Sequence, residues 1–327
     1  MVVAVQGGIS LKSLVNGFVL TKQTDGKSPR TVEFYSDNLS RFLWYASNQG
    51  WSDDVRMLTE WHIRDFLGYL VNERCRWGIE GNGSETCQDK ASHATVHHYF
   101  VVLANFFRWA VREGFLGESP AEKIRVSRPK VKVIKPCAVE EIERILAVCE
   151  HDYEHSARFL GSRHKAIVLV LVDSGVRLSE LVGMTMEDVN TSNGNIRVMG
   201  KGSKERVVRI GKVAQRALWR YMVHRSENSC QELWLTEEKR PLSCGAVQCL
   251  VKRLKERAGV NGSGSVHRFR HTVALNFLRA DKNVFNLQYL PGHSQLEMVR
   301  RYTATLGMED ALKAHEKASP ADMMGLR

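Results

Sequence analysis

Six polar side chains in the second half of this 327-residue chain have the types and spacing needed for chemistry on a phosphate group. Arginine, lysine and histidine can bind a phosphate or donate a proton to it, and a tyrosine can attack its phosphorus. Together they predict phosphoryl transfer through a covalent phosphotyrosine, with no metal ion and no other cofactor. In chain order the set is Arg177, Lys201, His267, Arg270, His293 and Tyr302.

The first arginine stands in the segment SGVRLSEL, which predicts a turn leading into a helix. Arg177 is expected in the first helical turn, where free backbone N–H groups already favour an anion. Glu180, three residues later, shares its face and is expected to orient the guanidinium group. An arginine and a glutamate at this spacing more often form a surface ion pair, so this segment alone is weak evidence for a phosphate-binding site.

Lys201 lies between Gly200 and Gly202 at the tip of a predicted β-hairpin. A lysine at such a tip can reach a leaving oxygen and donate a proton to it as a general acid. A solvated basic turn is the alternative, and only the other members of the set favour the catalytic role.

The strongest local signal is the segment SVHRFRH. Ser265 is a good N-cap, which places His267 and Arg270 in the first turns of a helix, three residues apart on one face. A histidine and an arginine beside a helix N-terminus form a phosphate pocket that includes a proton donor or base. Arg268 is expected to face elsewhere, and His271 is expected to have a structural, supporting role.

A Pro-Gly pair precedes His293, and Ser294 with Glu297 forms a capping box that starts a further helix. Tyr302 follows nine residues after His293. A single helix spanning both would place them on opposite sides, so the break is what lets both side chains face one site. Tyr289 is the rival nucleophile, but its apolar neighbours indicate a core position.

The composition is that of an ordinary folded protein, with 43% hydrophobic and 25% charged residues and a net charge of +11. The length of the chain suggests two domains, each large enough to bury a core. The basic excess is spread along the chain and suits a long polyanion such as DNA. A basic protein that binds no nucleic acid is the alternative on charge alone.

Seven cysteines, an odd number without a C-x-x-C pair, argue against a disulfide framework and a zinc site. No signal peptide and no run of about 18 apolar residues is present. We therefore expect a cytoplasmic, nucleoid-associated protein with no membrane contact. The segment before Ser28 is expected to be too short for an additional DNA-binding domain.

The apolar pattern predicts a mainly α protein with a small β-sheet, an α+β fold in two domains. Residues 1–125 are expected to form a helical DNA-binding domain, with tryptophans such as Trp61 in its core. Residues 126–136 carry prolines and alternating basic residues, which predict an extended connector. Residues 137–327 are expected to form the catalytic domain with its tail. Helices are predicted from positions 28, 59, 92, 139, 163, 213, 244, 266 and 295, and strands over 195–199 and 206–210.

Basic residues outside the catalytic set are candidates for contacts with the DNA backbone, since neutralised phosphates supply most nonspecific affinity. A solvated surface position is the alternative for each. They lie in the helical domain, the connector and the hairpin: Arg30, Arg108, Lys130, Lys132, Lys204 and Arg206.

In this order, the segments resemble those of the tyrosine recombinases, the phage-integrase and Xer-like family. SGVRLSEL resembles the family's first arginine motif, GKGSKER its hairpin, and HRFRH its histidine and second arginine. PGHS resembles the usual Leu-Gly-His segment, with Pro291 replacing leucine, and Tyr302 falls at the nucleophile position. The resemblance covers nearly the whole chain, and residues 1–125 are similar to the family's core-binding, SAM-like domain.

The resemblance implies a site-specific recombinase that needs neither metal nor ATP. Tyr302 would form a 3′-phosphotyrosine and release a 5′-hydroxyl, with Lys201 protonating the leaving oxygen and His267 assisting proton movement. Exchange through a Holliday junction would involve a homotetramer on double-stranded DNA with inverted-repeat core sites. An accessory DNA-bending protein or a partner recombinase is a further expected partner. The residues that would stabilise phosphate charge are Arg177, Arg270 and His293.

Three alternatives to this interpretation stay open. A type IB topoisomerase uses a similar residue set to relax DNA as a monomer. A non-catalytic DNA-binding regulator on the same fold would be expected to lack part of the set, which is complete here. Among recombinases, the tail favours integration, excision or resolution for a mobile genetic element, and Xer-like multimer resolution is the alternative role.

Overall fold

The computed structural model describes residues 8–72, 91–129, 135–200, 205–225, 230–260 and 266–281. The chain divides into two units, Met1–Val131 and Lys132–Arg327, and each has its own hydrophobic core. No helix in these described ranges is long and apolar enough to cross a membrane.

The first unit is helical, and its predicted helix starts are confirmed. The Ser28 hydroxyl accepts a hydrogen bond from the Thr31 N–H at 3.3 Å, with Pro29 in the first helical position. Ser92 caps the last helix of the unit in the same way, through the Thr95 N–H at 3.2 Å. The helices are α1 (Leu11–Thr24), α2 (Pro29–Asn48), a 3-10 turn (Val55–Met57), α3 (Glu60–Asn72) and α4 (His93–Arg112).

Aromatic side chains fill the core of this unit, and the prediction that tryptophans belong to this core is confirmed for three of them. Trp109 is buried, and Trp44 and Trp51 are partly buried. The prediction that Trp61 faces inward is wrong, because its side chain is 71% exposed. The buried face of α3 is set by Ile63 and the residues at helical spacing from it. Trp61 lies two positions before Ile63, about 200° around the helix axis.

The second unit combines helices with one small antiparallel sheet, whose strand order is β1-β2-β3. The predicted hairpin is confirmed, with Val198 paired to Arg206 between β2 and β3. Among the described residues of this unit, the helices are α5 (Val139–Glu154), α6 (Arg158–Ser174), α7 (Leu178–Val182), α8 (Lys212–Arg225), α9 (Cys244–Arg257) and α10 (Val266–Asp281). Its strands are β1 (Val189–Asn190), β2 (Asn195–Met199) and β3 (Glu205–Arg209).

Helix α6 forms the centre of the second unit and packs against α5, α8 and α10. It begins at Arg158, five residues before the predicted start at position 163. Ile167, Val168 and Val170 are completely buried although they point in different directions, as expected for a helix surrounded by protein. Because α6 ends at Ser174, the predicted phosphate-binding segment SGVRLSEL begins at the last residue of this helix.

Candidate active site

A left-handed glycine joins α6 to the first predicted arginine. Gly175 has φ of +62°, and its N–H donates to the Leu171 carbonyl at 3.2 Å. A Cβ added at Gly175 would lie 3.2 Å from Cγ1 of Val273 on α10, so both the backbone angle and the close approach require glycine. Arg177 lies immediately before α7 in the N-cap position, one residue earlier than the predicted first turn.

Glu180 is the centre of a buried ion cluster with two arginines. Its side chain is 2% exposed, and its Oε1 accepts hydrogen bonds from Nη1 of Arg177 and Nη1 of Arg206, each at 2.7 Å. Its Oε2 accepts from the Arg177 backbone N–H at 2.7 Å and from Nη2 of Arg206 at 2.8 Å. The predicted contact between Glu180 and Arg177 is therefore present, and Arg206 is a second partner that the sequence reasoning missed.

The charge on Glu180 is fixed by these contacts. Burial raises the pKa of a carboxyl group, but the hydrogen bonds from Arg206 and Arg177 outweigh it and bring the pKa of Glu180 down to about 2. The carboxylate is ionised at neutral pH. One negative and two positive charges leave the cluster with a net positive charge, and Arg177 is its most exposed member, at 31% of its side chain.

The strand register explains why Arg206 points inward. It is paired with Val198 and lies two residues before Val208, and both valines are buried. Alternate residues of a strand share a face, so Arg206 projects from the inner face of the sheet toward Glu180. The expectation that Arg206 contacts DNA stays a prediction, but both of its terminal nitrogens already donate to Glu180.

Helix α10 brings the second predicted arginine to the same turn. It begins at Val266, so His267 and Arg270 lie in its first turns, as the sequence indicates. Arg270 is buried, and its Nη1 donates to the Gly175 carbonyl at 2.6 Å, two residues before Arg177. His267, one turn earlier, is exposed. His271 is buried, consistent with the expected structural role.

Arg268 turns away from this face, as expected, and fastens α10 to the residues that precede α5. Its Nη2 donates to the Pro136 carbonyl at 3.1 Å and to Oε2 of Glu141 at 2.7 Å. Next to it, the Thr272 hydroxyl accepts a hydrogen bond from the Cys137 N–H at 2.7 Å. These contacts hold the helix that carries His267 and Arg270, and the sequence alone gave no signal of them.

Of the remaining predicted site residues, two lie within the described ranges and the others lie outside them. Arg30 on α2 and Arg108 on α4 are exposed in the first unit, and their contact with DNA stays a prediction. Lys201 belongs to the segment between β2 and β3 but lies outside the described residues. The other predicted residues outside the described ranges are Lys130, Lys132, Lys204, His293 and Tyr302.

Comparison with known proteins gives the family. The sequence model of the phage integrase family matches residues 137–307, and that of the phage integrase N-terminal SAM-like domain matches residues 14–114. Tyrosine recombinase XerD of Corynebacterium glutamicum is 28% identical over 282 residues, covering 85% of this chain and 88% of that protein.

Solved structures show the same fold at low sequence identity. XerH recombinase bound to palindromic difH substrate, a post-cleavage complex, matches with a TM-score of 0.67 and 20% identity, covering 95% of this chain and 84% of that one. A lambda integrase tetramer bound to a Holliday junction matches with a TM-score of 0.67 and 17% identity, covering 90% and 80%. The predicted fold class is confirmed. Because the integrase-family match spans more than half of the 327 residues, the chain belongs to the phage integrase family and is a tyrosine-type site-specific recombinase.

Proposed function

We propose that this recombinase cuts and rejoins DNA through a 3′-phosphotyrosine at Tyr302. The observation that carries the proposal is the hydrogen bond from Arg270 on α10 to the carbonyl of Gly175, two residues before Arg177. An arginine in the turn and a second one held against it by α10 suit the two non-bridging oxygens of a single phosphodiester. The exposed imidazole of His267, one helical turn before Arg270, adds a group that can move a proton.

The cleavage step exchanges one phosphoester bond for another and so keeps the bond energy. The Tyr302 hydroxyl loses its proton, its oxygen attacks the phosphorus, and the bond between phosphorus and the 5′ oxygen breaks. Lys201 supplies the proton that the leaving 5′ oxygen takes up, and His267 assists proton movement at the tyrosine. The charge that builds on the non-bridging oxygens is stabilised by Arg177, Arg270 and His293. Because the bond energy is retained in the phosphotyrosine, rejoining needs no ATP.

Strand exchange follows when a 5′-hydroxyl from a second duplex attacks the phosphotyrosine. Two such exchanges pass through a Holliday junction, and a homotetramer on paired inverted-repeat sites supplies one tyrosine for each of the four strands. The likeness to the lambda integrase tetramer bound to a Holliday junction supports this arrangement. Arg30, Arg108, Lys130 and Lys132 are proposed to contact the DNA backbone.

The biological role is proposed at the level of the DNA that is recombined. Integration, excision or resolution for a mobile element is one role, and Xer-like multimer resolution is the other, favoured by the match to XerD along 85% of this chain. The roles differ in where the sites lie. Paired sites flanking the gene would support the mobile element, whereas one chromosomal site that recombines between replicon copies would support multimer resolution.

The direct test is covalent trapping on nicked duplexes that carry candidate inverted repeats. The protein is incubated with labelled DNA in EDTA, and adducts are resolved on denaturing gels. Wild-type protein is expected to give an adduct, Tyr302→Phe none, and the matched control Tyr289→Phe a normal amount. An adduct that persists in Tyr302→Phe would show that a residue other than Tyr302 is the nucleophile. Relaxation of supercoiled plasmid that lacks the site would instead support a topoisomerase.

A further inference from the structure

We propose that Arg206 is a positioning residue for the cleavage step, which acts through Glu180 and Arg177 and makes no contact with DNA. The inference rests on the proposed function, because it assigns the arginine that keeps Arg177 available for the scissile phosphate. It departs from the sequence prediction, which placed Arg206 among the DNA-backbone contacts.

The first argument is geometric. A carboxylate has about four acceptor positions, and the hydrogen bonds to Glu180 occupy all of them, two from Arg177 and two from Arg206. The pair from Arg206 is bidentate, with one bond to each oxygen, and it fixes the plane of the carboxylate. Loss of Arg206 would remove half of these hydrogen bonds and leave Glu180 held by Arg177 alone, which loosens the orientation of the carboxylate and of the Arg177 guanidinium that shares Oε1.

The second argument concerns charge. Glu180 paired with Arg177 alone would form a neutral ion pair and would weaken the attraction of Arg177 for a phosphate. Arg206 supplies the second positive charge and offsets the carboxylate from the buried side, since its side chain is 16% exposed against 31% for Arg177. The positive charge that remains is therefore nearest to solvent at Arg177, where a phosphate can approach.

The third argument is the placement of Arg206 on the sheet. β3 presents Arg206 on the inner face and Arg209 on the exposed face. The Arg206 side chain thereby ties the turn end of the hairpin to α7, and the segment between β2 and β3 is the one that carries Lys201. Arg209 offers a matched control, since it is the same residue type on the same strand but faces outward.

The first experiment compares Arg206→Met and Arg206→Lys with Arg209→Met in single-turnover adduct formation at saturating DNA. Arg206→Met is expected to slow adduct formation by about 10- to 100-fold, as for a slightly misplaced catalytic group. Arg206→Lys should fall between it and the wild type, because one ammonium group cannot make the bidentate pair. Arg209→Met should keep the wild-type rate. An Arg206→Met rate equal to that of Arg209→Met would overturn the proposal.

DNA affinity separates positioning from phosphate contact. A residue that neutralises one phosphate lowers the log–log salt slope of binding by ~0.9 when it is removed. In an Arg177→Met background, Arg206→Met is expected to leave the dissociation constant and the slope unchanged, because its effect passes through Arg177. A further drop of the slope by ~0.9 in that background would return Arg206 to the DNA contacts and contradict the inference.

A neutral substrate distinguishes positioning from general damage to the fold. A methylphosphonate at the scissile position replaces one non-bridging oxygen with a methyl group and removes the charge that Arg177 would neutralise. The penalty of Arg206→Met, taken as the ratio of wild-type to variant rates, is expected to shrink on this substrate. Both substrates are assayed with the same preparation, so a partly unfolded sample affects them equally. An equal penalty on both substrates would mean that Arg206 has only a structural role.

The outcomes also separate this inference from the proposed function. If wild-type protein forms no adduct on a duplex that it binds specifically, the proposed function fails. If the wild type forms an adduct that requires Tyr302, and Arg206→Met forms it equally fast, only the role of Arg206 fails.

Discussion

Gly175→Ala should cost both stability and activity, for two reasons that can be separated. An alanine held at a φ of +62° costs about 1–2 kcal/mol. Its Cβ would also lie 3.2 Å from Cγ1 of Val273, and relieving such overpacking costs a further ~1–3 kcal/mol. We therefore expect the second unit to lose about 2–5 kcal/mol of unfolding free energy.

Gly259 provides the matched control for the backbone contribution. It has the same φ of +62°, but the nearest atom to its added Cβ is Nη1 of Arg144, at the ordinary contact distance of 3.9 Å. Gly259→Ala should therefore lose only the cost of the left-handed angle, about 1–2 kcal/mol. Adding Val273→Ala should recover part of the loss in Gly175→Ala but none in Gly259→Ala, since only the first pair is in contact.

Hydrogen exchange of the α6 amides is the appropriate assay, because the most protected amides report the unfolding free energy of the unit they belong to. Adduct formation is measured on the same variants. Gly175→Ala moves the carbonyl that holds Arg270 and should slow adduct formation by at least about tenfold, whereas Gly259→Ala should not. Equal stability losses in the two glycine variants, with no coupling to Val273→Ala, would refute the role given to the close approach of α10.

Three further outcomes are expected. Because the pKa of Glu180 lies at about 2 in the folded protein against an ordinary 4.5, its ionisation contributes stability above about pH 4.5 that is lost as the pH falls toward 2. Urea melts should show wild type more stable than Glu180→Gln by up to about 3 kcal/mol of unfolding free energy at neutral pH. This difference should narrow only below about pH 5. Gly161→Ala should destabilise the second unit by about 3 kcal/mol or more in the same melts, because its Cβ would lie 2.7 Å from the Cys149 carbonyl oxygen of α5 and overlap the backbone of Tyr153. Burial raises the pKa of the Cys149 thiol to about 12, so alkylation at pH 8 followed by peptide mapping should modify exposed Cys244 and Cys249 and leave Cys149 unmodified.

Local signals in the sequence were sufficient wherever neighbouring residues determine the structure. The caps at Ser28 and Ser92 and the first turns of α10 depend on hydrogen bonds or spacings within a few residues, and all three agree with the structure. Helix α1 was missed although Ser10 caps it and Leu11, Leu14, Val15 and Phe18 are buried at helical spacing.

The contacts at the site that the sequence did not show have a different origin. Strand alternation shows that Arg206 shares a face with Val208, but not that Glu180, 26 residues earlier, lies opposite that face. Arg268 likewise was expected to turn away, but its target before α5 depends on how α10 docks. An arginine counted as surface charge in the sequence can become a buried ion-pair partner, because tertiary packing selects its neighbours.

The attachment of α10 has a consequence for the order in which the enzyme matures on the ribosome. The Thr272 hydroxyl meets the Cys137 N–H across 135 residues of chain, and Arg270 meets Gly175 across 95. Contacts this distant in sequence form late, after most of the second unit has been synthesised. Arg177 and Arg270 therefore cannot meet on a nascent chain that ends before α10. A translation product that ends there would lack the assembled phosphate site, so termination at that stage would not release a DNA-nicking fragment into the cell.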